Sequence, residues 1–175
     1  MKKIENKGDK MQHYKHIKKC RICESTSLTE VIRFEEQFLS PTFVKNQDSE
    51  LSKIKVPLTV VLCDKKKDPN ACGLLQLKET TNPDLLYRNY FYRSATSTTM
   101  RTDLKDVVDE ALAKVKIRHN DIVIDIGAND CTMISYFPTH MKRIAVEPAK
   151  NIGWSHVDES IIILNDYFSK EAVFS

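Results

Sequence analysis

The spacing of apolar positions changes three times along the 175-residue chain. Short β-like runs occur at 56–62 and 74–77, where β-branched and leucine residues lie between turn signals. From Met100 to Val115 apolar residues recur at steps of three and four, which predicts a helix with one buried face. Residues 130–138 are predicted to form a second helix, which ends before Pro138. Three further runs are typical of buried parallel strands: 121–126, 143–147 and 161–165.

The composition is that of an ordinary folded protein with a small positive charge. Apolar residues make up 41% and charged residues 29% of the chain, and the formal net charge is +3. That charge is too small to indicate nucleic acid binding. Much of it lies in residues 1–18, which we predict to be a disordered basic tail; an RNA- or membrane-binding arm is the alternative. Since no run approaches the ~20 apolar residues of a membrane span or forms a signal-peptide core, a cytoplasmic protein is expected, with no membrane or nucleic acid partner.

Four of the five cysteines lie in residues 19–82 with a spacing typical of a metal site. Cys20 and Cys23 form a C-x2-C knuckle, in which a tight turn can point both sulfurs toward one ion. Cys63 and Cys72 form a looser pair around a polar insert. Four thiolates in a segment with little core predict a closed structural zinc site. Unrelated thiols, a redox pair, or a histidine of the tail in place of one ligand are the alternatives.

The stretch from Asp125 to Thr132 is typical of a nucleotide-binding loop between a strand and a helix. Gly127 would let the backbone pass close to a ligand, and the start of the helix would supply free amides. A diphosphate-binding loop contains three glycines in the order G-x-G-x-x-G, whereas this loop has one and adds Asn129 and Asp130. Carboxylates here would repel a diphosphate, but they suit the sulfonium and ammonium groups of S-adenosylmethionine.

Two more carboxylates follow the next predicted strands. Glu147 ends the second strand, where Rossmann-like folds place the carboxylate that binds ribose hydroxyls. Asp166 follows the third strand and is placed to accept a hydrogen bond from an adenine amino group. Ordinary strand-end acids of an α/β domain are the alternative reading. The predicted cofactor site comprises Asp125, Gly127, Asn129, Asp130, Glu147 and Asp166.

The order of these motifs resembles that of the zinc-containing, S-adenosylmethionine-dependent sugar C-methyltransferases, which act on nucleotide-linked keto-deoxysugars. The resemblance extends from about Cys20 to Phe168 and covers the N-terminal part of that family. It is carried by the knuckles at 20–23 and 72–77, the linking segments at 90–94 and 97–101, the loop at 126–130 and the motif at 147–152.

The resemblance implies an α/β protein in three parts after the tail. These are a four-cysteine zinc domain at 19–82, a helical linker at 83–118 and the first half of a Rossmann-like methyltransferase domain at 119–175. The implied cofactors are zinc and S-adenosylmethionine, and the implied substrate is a nucleotide-linked keto-deoxysugar. In that family a base removes a proton beside the keto group, and the enolate attacks the methyl group. Tyr92 is implied as a substrate contact; its alternative role is to dock the linker onto the core.

Three departures from the family pattern limit these expectations. Cys131 stands where the family has glycine, which would weaken cofactor binding. A polar insert of eight residues separates Cys63 from Cys72, which loosens the zinc assignment. The chain ends at Ser175, before the family's catalytic histidine. We therefore expect an incomplete enzyme without its catalytic base, for which the remaining C-terminal part would be a partner.

Two other functions stay open at the level of sequence. The chain could be a non-catalytic, zinc-dependent binding module or an inactive remnant that recognises a nucleotide-sugar or a partner protein. It could also be a small redox or metal-storage protein, although that function leaves Gly127, Glu147 and Asp166 without a role.

Overall fold

The computed structural model describes residues 13–39 and 49–174 and shows a mixed α/β protein. The chain divides between Leu86 and Tyr87 into two compact units. Residues 1–12 of the predicted basic tail lie outside the described residues. The prediction of disorder is wrong at Tyr14–His16, which form strand β1, because their backbone pairs with a later strand of the first unit.

Within its described residues, the first unit contains two small antiparallel sheets. One has the order β2-β3-β4, and in the other β1 pairs with β5. In the central strand, Thr59, Val61 and Cys63 are buried in alternation, as expected when one face of a strand is covered. The strands predicted at 56–62 and 74–77 are confirmed. The bounds are β2 Leu28–Phe38, β3 Lys55–Cys63, β4 Leu75–Leu77 and β5 Glu79–Thr81.

The segment predicted as a helical linker contains two helices with turns and irregular backbone between them. Helix α1 spans Pro83–Tyr87 and α2 spans Thr98–Lys114, while Ser94–Thr96 form a single 3-10 turn. Helix α2 begins after Ser97, whose hydroxyl oxygen accepts a hydrogen bond from the Met100 amide at 3.3 Å. The predicted periodic helix is therefore confirmed. The described residues include no helix that could span a membrane.

The second unit is built on a parallel sheet with the order β6-β7-β8. All three strands predicted after residue 120 are confirmed. The helix predicted over 130–138 is wrong in length, since only Thr132–Ser135 are helical. Cys131 immediately before it has a left-handed φ of 64°, and Pro138 follows it closely. The bounds are β6 Ile122–Ile126, α3 Thr132–Ser135, β7 Lys142–Val146, β8 Ile161–Leu164 and α4 Lys170–Phe174.

The two faces of this parallel sheet differ in burial. On one face, Ala145 and Ile161 pack with Ala128, Cys131 and Ile134 into the core of the unit. The opposite face presents exposed isoleucines from β6 and β8. Parallel sheets are normally packed against other elements on both faces. Among the described residues, this sheet is packed on one face only. The exposed isoleucines are Ile122, Ile124, Ile126 and Ile162.

Candidate functional site

Strand pairing brings the four predicted cysteine ligands together. In the hairpin of β2 and β3, Leu28 lies opposite Cys63, so the chain just after the first knuckle is placed next to Cys63. In the neighbouring pair, Leu62 lies opposite Leu75, which places Cys72 at the same end of the sheet. Sheet register thus gathers ligands that are far apart in sequence.

The sulfur positions fit a tetrahedral zinc site. The Sγ atoms of Cys20 and Cys72 are 3.6 Å apart, and those of Cys23 and Cys63 are 3.5 Å apart. All four sulfurs lie within 4.8 Å of one another. Four Zn–S bonds of ~2.3 Å in a tetrahedron place sulfurs about 3.8 Å apart, close to the distances observed. With four protein ligands no position stays open for a substrate, so the site is suited to a structural ion.

The insert between Cys63 and Cys72 folds into tight turns and does not separate the two sulfurs. The Asp64 carboxylate accepts from the Lys66 amide, and the Asp68 carboxylate accepts from the Asn70 amide, both at 2.9 Å. The Ser25 hydroxyl donates to Asp68 at 2.6 Å, which fastens the insert to the first knuckle. The insert, although it departs from the family pattern, therefore leaves the assignment of all four cysteines to one zinc site intact.

Backbone geometry and hydrogen bonding set up the two knuckles. Gly73 has a φ of 81°, a left-handed conformation in which a side chain would be strained. Hydrogen bonds from the Cys23 and Ile22 amides lower the pKa of the Cys20 thiol to about 6. Burial raises the pKa of Cys63 to about 12, so this thiol depends most on a metal ion to become a thiolate.

In the second unit, two predicted carboxylates lie at the carboxyl ends of adjacent strands. Asp125 is near the end of β6 and Glu147 immediately follows β7; both are buried. Burial, and then the nearby charge of Glu147, raise the pKa of Asp125 to about 6. No hydrogen bond to the Asp125 side chain is found among the described residues. Two desolvated carboxylates close together are poised to bind a cation.

A cavity of about 200 Å³ opens beside Glu147. Its lining includes Gly127, whose φ is 81° and whose ideal Cβ position has no atom within 4 Å. The Glu147 carboxylate accepts hydrogen bonds from the Asn129 amide at 2.8 Å and the Ala149 amide at 2.7 Å. Each carboxylate oxygen retains capacity to accept a further bond. Glu147 is thus rigidly held at the wall of an open space, as a ligand-binding carboxylate should be.

The side chains of Asn129 and Asp130 are used to hold the preceding segment. Asn129 accepts from the Ser94 amide at 3.1 Å, and its Nδ2 donates to the Tyr92 carbonyl at 3.0 Å. Asp130 accepts from the Ala95 amide at 2.8 Å. Asn129 still lines the cavity beside Glu147, whereas Asp130 lines a separate cavity. Asn129 and Asp130 therefore hold the segment before α2 in place through their side chains.

Asp166 is exposed on the surface of the unit. Its Oδ1 accepts from the Arg88 guanidinium at 3.1 Å and from the Tyr167 amide at 2.8 Å. Both hydrogen bonds lower the pKa of Asp166, and the bond from the Tyr167 amide has the larger effect. Asp166, Asp125 and Tyr92 are not among the residues that line the cavity.

Two tyrosines that the cofactor prediction omitted do line the cavity, Tyr87 and Tyr90. The aromatic run from Tyr87 to Tyr92 was the available signal in the sequence. Spacing alone could not indicate which of its rings lines the cavity, because the run leaves helix α1 at Tyr87 and continues without regular secondary structure.

Cys131 occupies the tight turn after Asp130 without entering the cavity beside Glu147. Its side chain is buried in the core of the unit. Burial, followed by the charge of Asp125, raises its pKa to about 12, so the thiol stays protonated. The left-handed φ of 64° is a strained conformation for cysteine, which explains why glycine suits this position.

Comparison with known proteins agrees with the motifs. Residues 20–87 match a methyltransferase-associated family described as "Putative zinc binding domain". Over 156 residues the chain is 23% identical to C-methyltransferase NovU of Streptomyces niveus. This alignment covers 89% of the chain but only 36% of the relative, so the chain spans little more than a third of that protein's length. The predicted resemblance is confirmed: the chain is similar to a C-methyltransferase, and its cysteine-rich part matches a zinc-binding family, which supports zinc as its metal.

Proposed function

We propose that the chain carries the zinc domain and the cofactor-binding half of an S-adenosylmethionine-dependent C-methyltransferase with a Rossmann-like second unit. The similarity to a C-methyltransferase supports a methyltransferase-related role. The observation that carries the cofactor assignment is the pair of buried carboxylates, Asp125 and Glu147, beside the open backbone at Gly127.

The sign of charge at this edge of the sheet favours a cationic nucleoside over a dinucleotide. Two buried carboxylates would face the phosphates of a diphosphate across a short distance in a medium of low polarity, which is strongly unfavourable. A sulfonium or ammonium group instead relieves the repulsion between Asp125 and Glu147. When bound, the cofactor supplies an electrophilic methyl group.

Each residue has a defined task in this proposal. Glu147 accepts hydrogen bonds from the ribose hydroxyls, and its two backbone donors fix its orientation beforehand. Gly127 lets the backbone approach the ligand. Asp125 supplies negative charge close to the cationic part, and Asn129 and Asp130 keep the preceding segment against the loop.

For the substrate we propose a nucleotide-linked keto-deoxysugar, the class that the family resemblance implies, with Tyr92 as a contact. The part of a C-methyltransferase beyond the length matched here would be the natural partner of this chain. We assign no catalytic base to the described residues.

The test is calorimetric titration of the zinc-loaded chain with S-adenosylhomocysteine. We expect saturable binding that weakens about 10- to 100-fold in Glu147→Gln, because the carboxylate bonds to ribose are charge-assisted. Glu159→Gln is the matched control, since Glu159 is an exposed acid of the same unit. Unfolding curves of both variants would show that the unit is intact. Absence of heat with the unchanged chain would refute cofactor binding.

That last outcome would favour a second function, a non-catalytic zinc-dependent binding module. One observation supports this alternative: side chains of the loop, Asn129 and Asp130, are already engaged with residues 92–95. Binding of a nucleotide-sugar without S-adenosylhomocysteine binding would identify such a module.

A further inference from the structure

The cavity beside Glu147 has an aromatic wall contributed by the segment before α2. Tyr87 and Tyr90 line it together with Gly127, Glu147 and Pro148. Their ring centroids are 6.4 Å apart and the ring planes are tilted by 48°. The lining of the cavity therefore combines two aromatic rings with a carboxyl group.

Backbone contacts anchor this wall independently of the tyrosine rings. Asn151 Oδ1 accepts from the Tyr90 amide and Asn151 Nδ2 donates to the Tyr90 carbonyl, both at 3.0 Å. The Lys150 amide donates to the Arg88 carbonyl at 2.9 Å. Because these bonds use main-chain atoms of the segment, the rings can be altered without removing its anchors.

The size of the cavity limits what it can hold. Its volume of about 200 Å³ is below the ~300–1,000 Å³ typical of complete small-molecule sites. It therefore fits one part of an extended ligand. A planar base would gain from contact with aromatic rings, and the adjoining ribose would meet the carboxylate of Glu147.

We propose that Tyr87 and Tyr90 form the base-binding wall of a ribonucleoside site whose ribose hydroxyls bind Glu147. The inference rests on the proposed function, in which the nucleoside is the adenosyl part of the cofactor. The same chemistry occurs in a nucleotide-sugar, but there a diphosphate would adjoin the ribose, close to Asp125 and Glu147. The carboxylates therefore favour the adenosyl source.

The experiment uses the zinc-loaded chain and four probes: S-adenosylhomocysteine, 5′-methylthioadenosine, UDP and dTDP. Proton NMR of the ligand reports stacking, because the base protons move upfield when they lie over a tyrosine ring. Calorimetry gives affinities for Tyr87→Leu, Tyr90→Leu and the ring-preserving Tyr87→Phe and Tyr90→Phe. Tyr136→Leu is the matched control, since Tyr136 belongs to the same unit and lines a different cavity.

We expect the two adenosyl ligands to show upfield shifts of the base protons. Each leucine variant should weaken their binding about 5- to 100-fold, as expected for loss of a base-stacking ring. The phenylalanine variants and Tyr136→Leu should stay within about twofold of the unchanged chain, which would separate loss of the ring from loss of the fold.

The other outcomes have distinct meanings. If Glu147→Gln weakens S-adenosylhomocysteine binding but the leucine variants do not, the aromatic wall is refuted and the proposed function stands. If UDP binds through Tyr87, Tyr90 and Glu147 while the adenosyl ligands do not, the ribonucleoside wall is supported and the proposed function falls. If none of the four probes binds, both fall.

Discussion

Asp125 is a carboxylate in a position where the fold alone would favour a neutral side chain. Its neighbours across the sheet face belong to the apolar core, including Ala145 opposite it in register. Burial is the larger cause of its raised pKa and the charge of Glu147 the smaller. Such conflicts between stability and charge are typical of functional sites.

We predict that Asp125→Asn stabilises the second unit at neutral pH. The pKa is about 6 in the folded chain against an ordinary 3.8, so the unfolded chain ionises first as pH rises. The contribution of Asp125 to the free energy of unfolding is fully present below pH ~4 and is lost as the pH rises from there to about 6. Removing the charge should raise the free energy of unfolding by about 2–3 kcal/mol at pH 8 and by little at pH 4.

The measurement is urea unfolding at both pH values, followed by fluorescence of Trp154. This is the only tryptophan of the chain, and it packs against the core of the second unit. An equal gain at pH 4 and pH 8 would show that Asp125 titrates normally. The same variant should lose affinity for S-adenosylhomocysteine if the charge serves the cofactor.

For single residues, the sequence predicted which residue types lie at the strand ends better than it predicted the contacts that these residues make. Asp125, Gly127 and Glu147 could be identified because a strand, a glycine and an acid follow one another in a recognisable order. The hydrogen bonds of Asn129 to Tyr92 and Ser94 could not be predicted, since they depend on the path of a segment 35 residues earlier in the chain. The same holds for the rings of Tyr87 and Tyr90.

Among the elements, the parallel sheet of the second unit shows how much of the fold a local pattern contains. All three strands were predictable from their apolar runs. The face of the sheet that is covered could not be predicted, because aliphatic side chains occupy both faces. In β8, Ile161 is 5% exposed and its neighbour Ile162 is 43% exposed. The difference arises from α3 and Trp154, which pack on one side alone.

These two isoleucines provide a matched pair for testing the one-sided layer. Ile161→Ala should destabilise the second unit by about 2–4 kcal/mol, because it leaves a cavity in the packed core. Ile162→Ala should cost less than about 1 kcal/mol, since its side chain is already partly in water. Chemical unfolding followed by Trp154 fluorescence measures both. Similar losses would mean that the second face is covered in solution.

On the scale of the whole chain, the two units have separate sources of stability. The second has an aliphatic core around Ile134 and Ala145. The core cluster of the first is formed largely by cysteines, with Cys20, Cys63 and Ala71 at its centre. A unit of this kind depends on its metal ion for much of its folding free energy.

Zinc removal should therefore affect one unit selectively. Metal analysis should find one zinc ion per chain, lost in Cys23→Ser and retained in Cys131→Ser, whose thiol is outside the cluster. A strong chelator should abolish much of the β-sheet circular dichroism while the unfolding midpoint reported by Trp154 shifts little. A large shift of that midpoint would contradict separate cores.

The wide sequence separation of the cysteine ligands has a consequence for the rate of folding. Cys20 and Cys23 can hold an ion before the chain has folded, whereas Cys63 is 40 residues beyond Cys23 and Cys72 is 52 residues beyond Cys20. Closing such loops becomes favourable when the β2–β3 hairpin aligns its strands. We therefore expect the refolding rate in excess zinc to equal the rate of hairpin closure and to be independent of the zinc concentration.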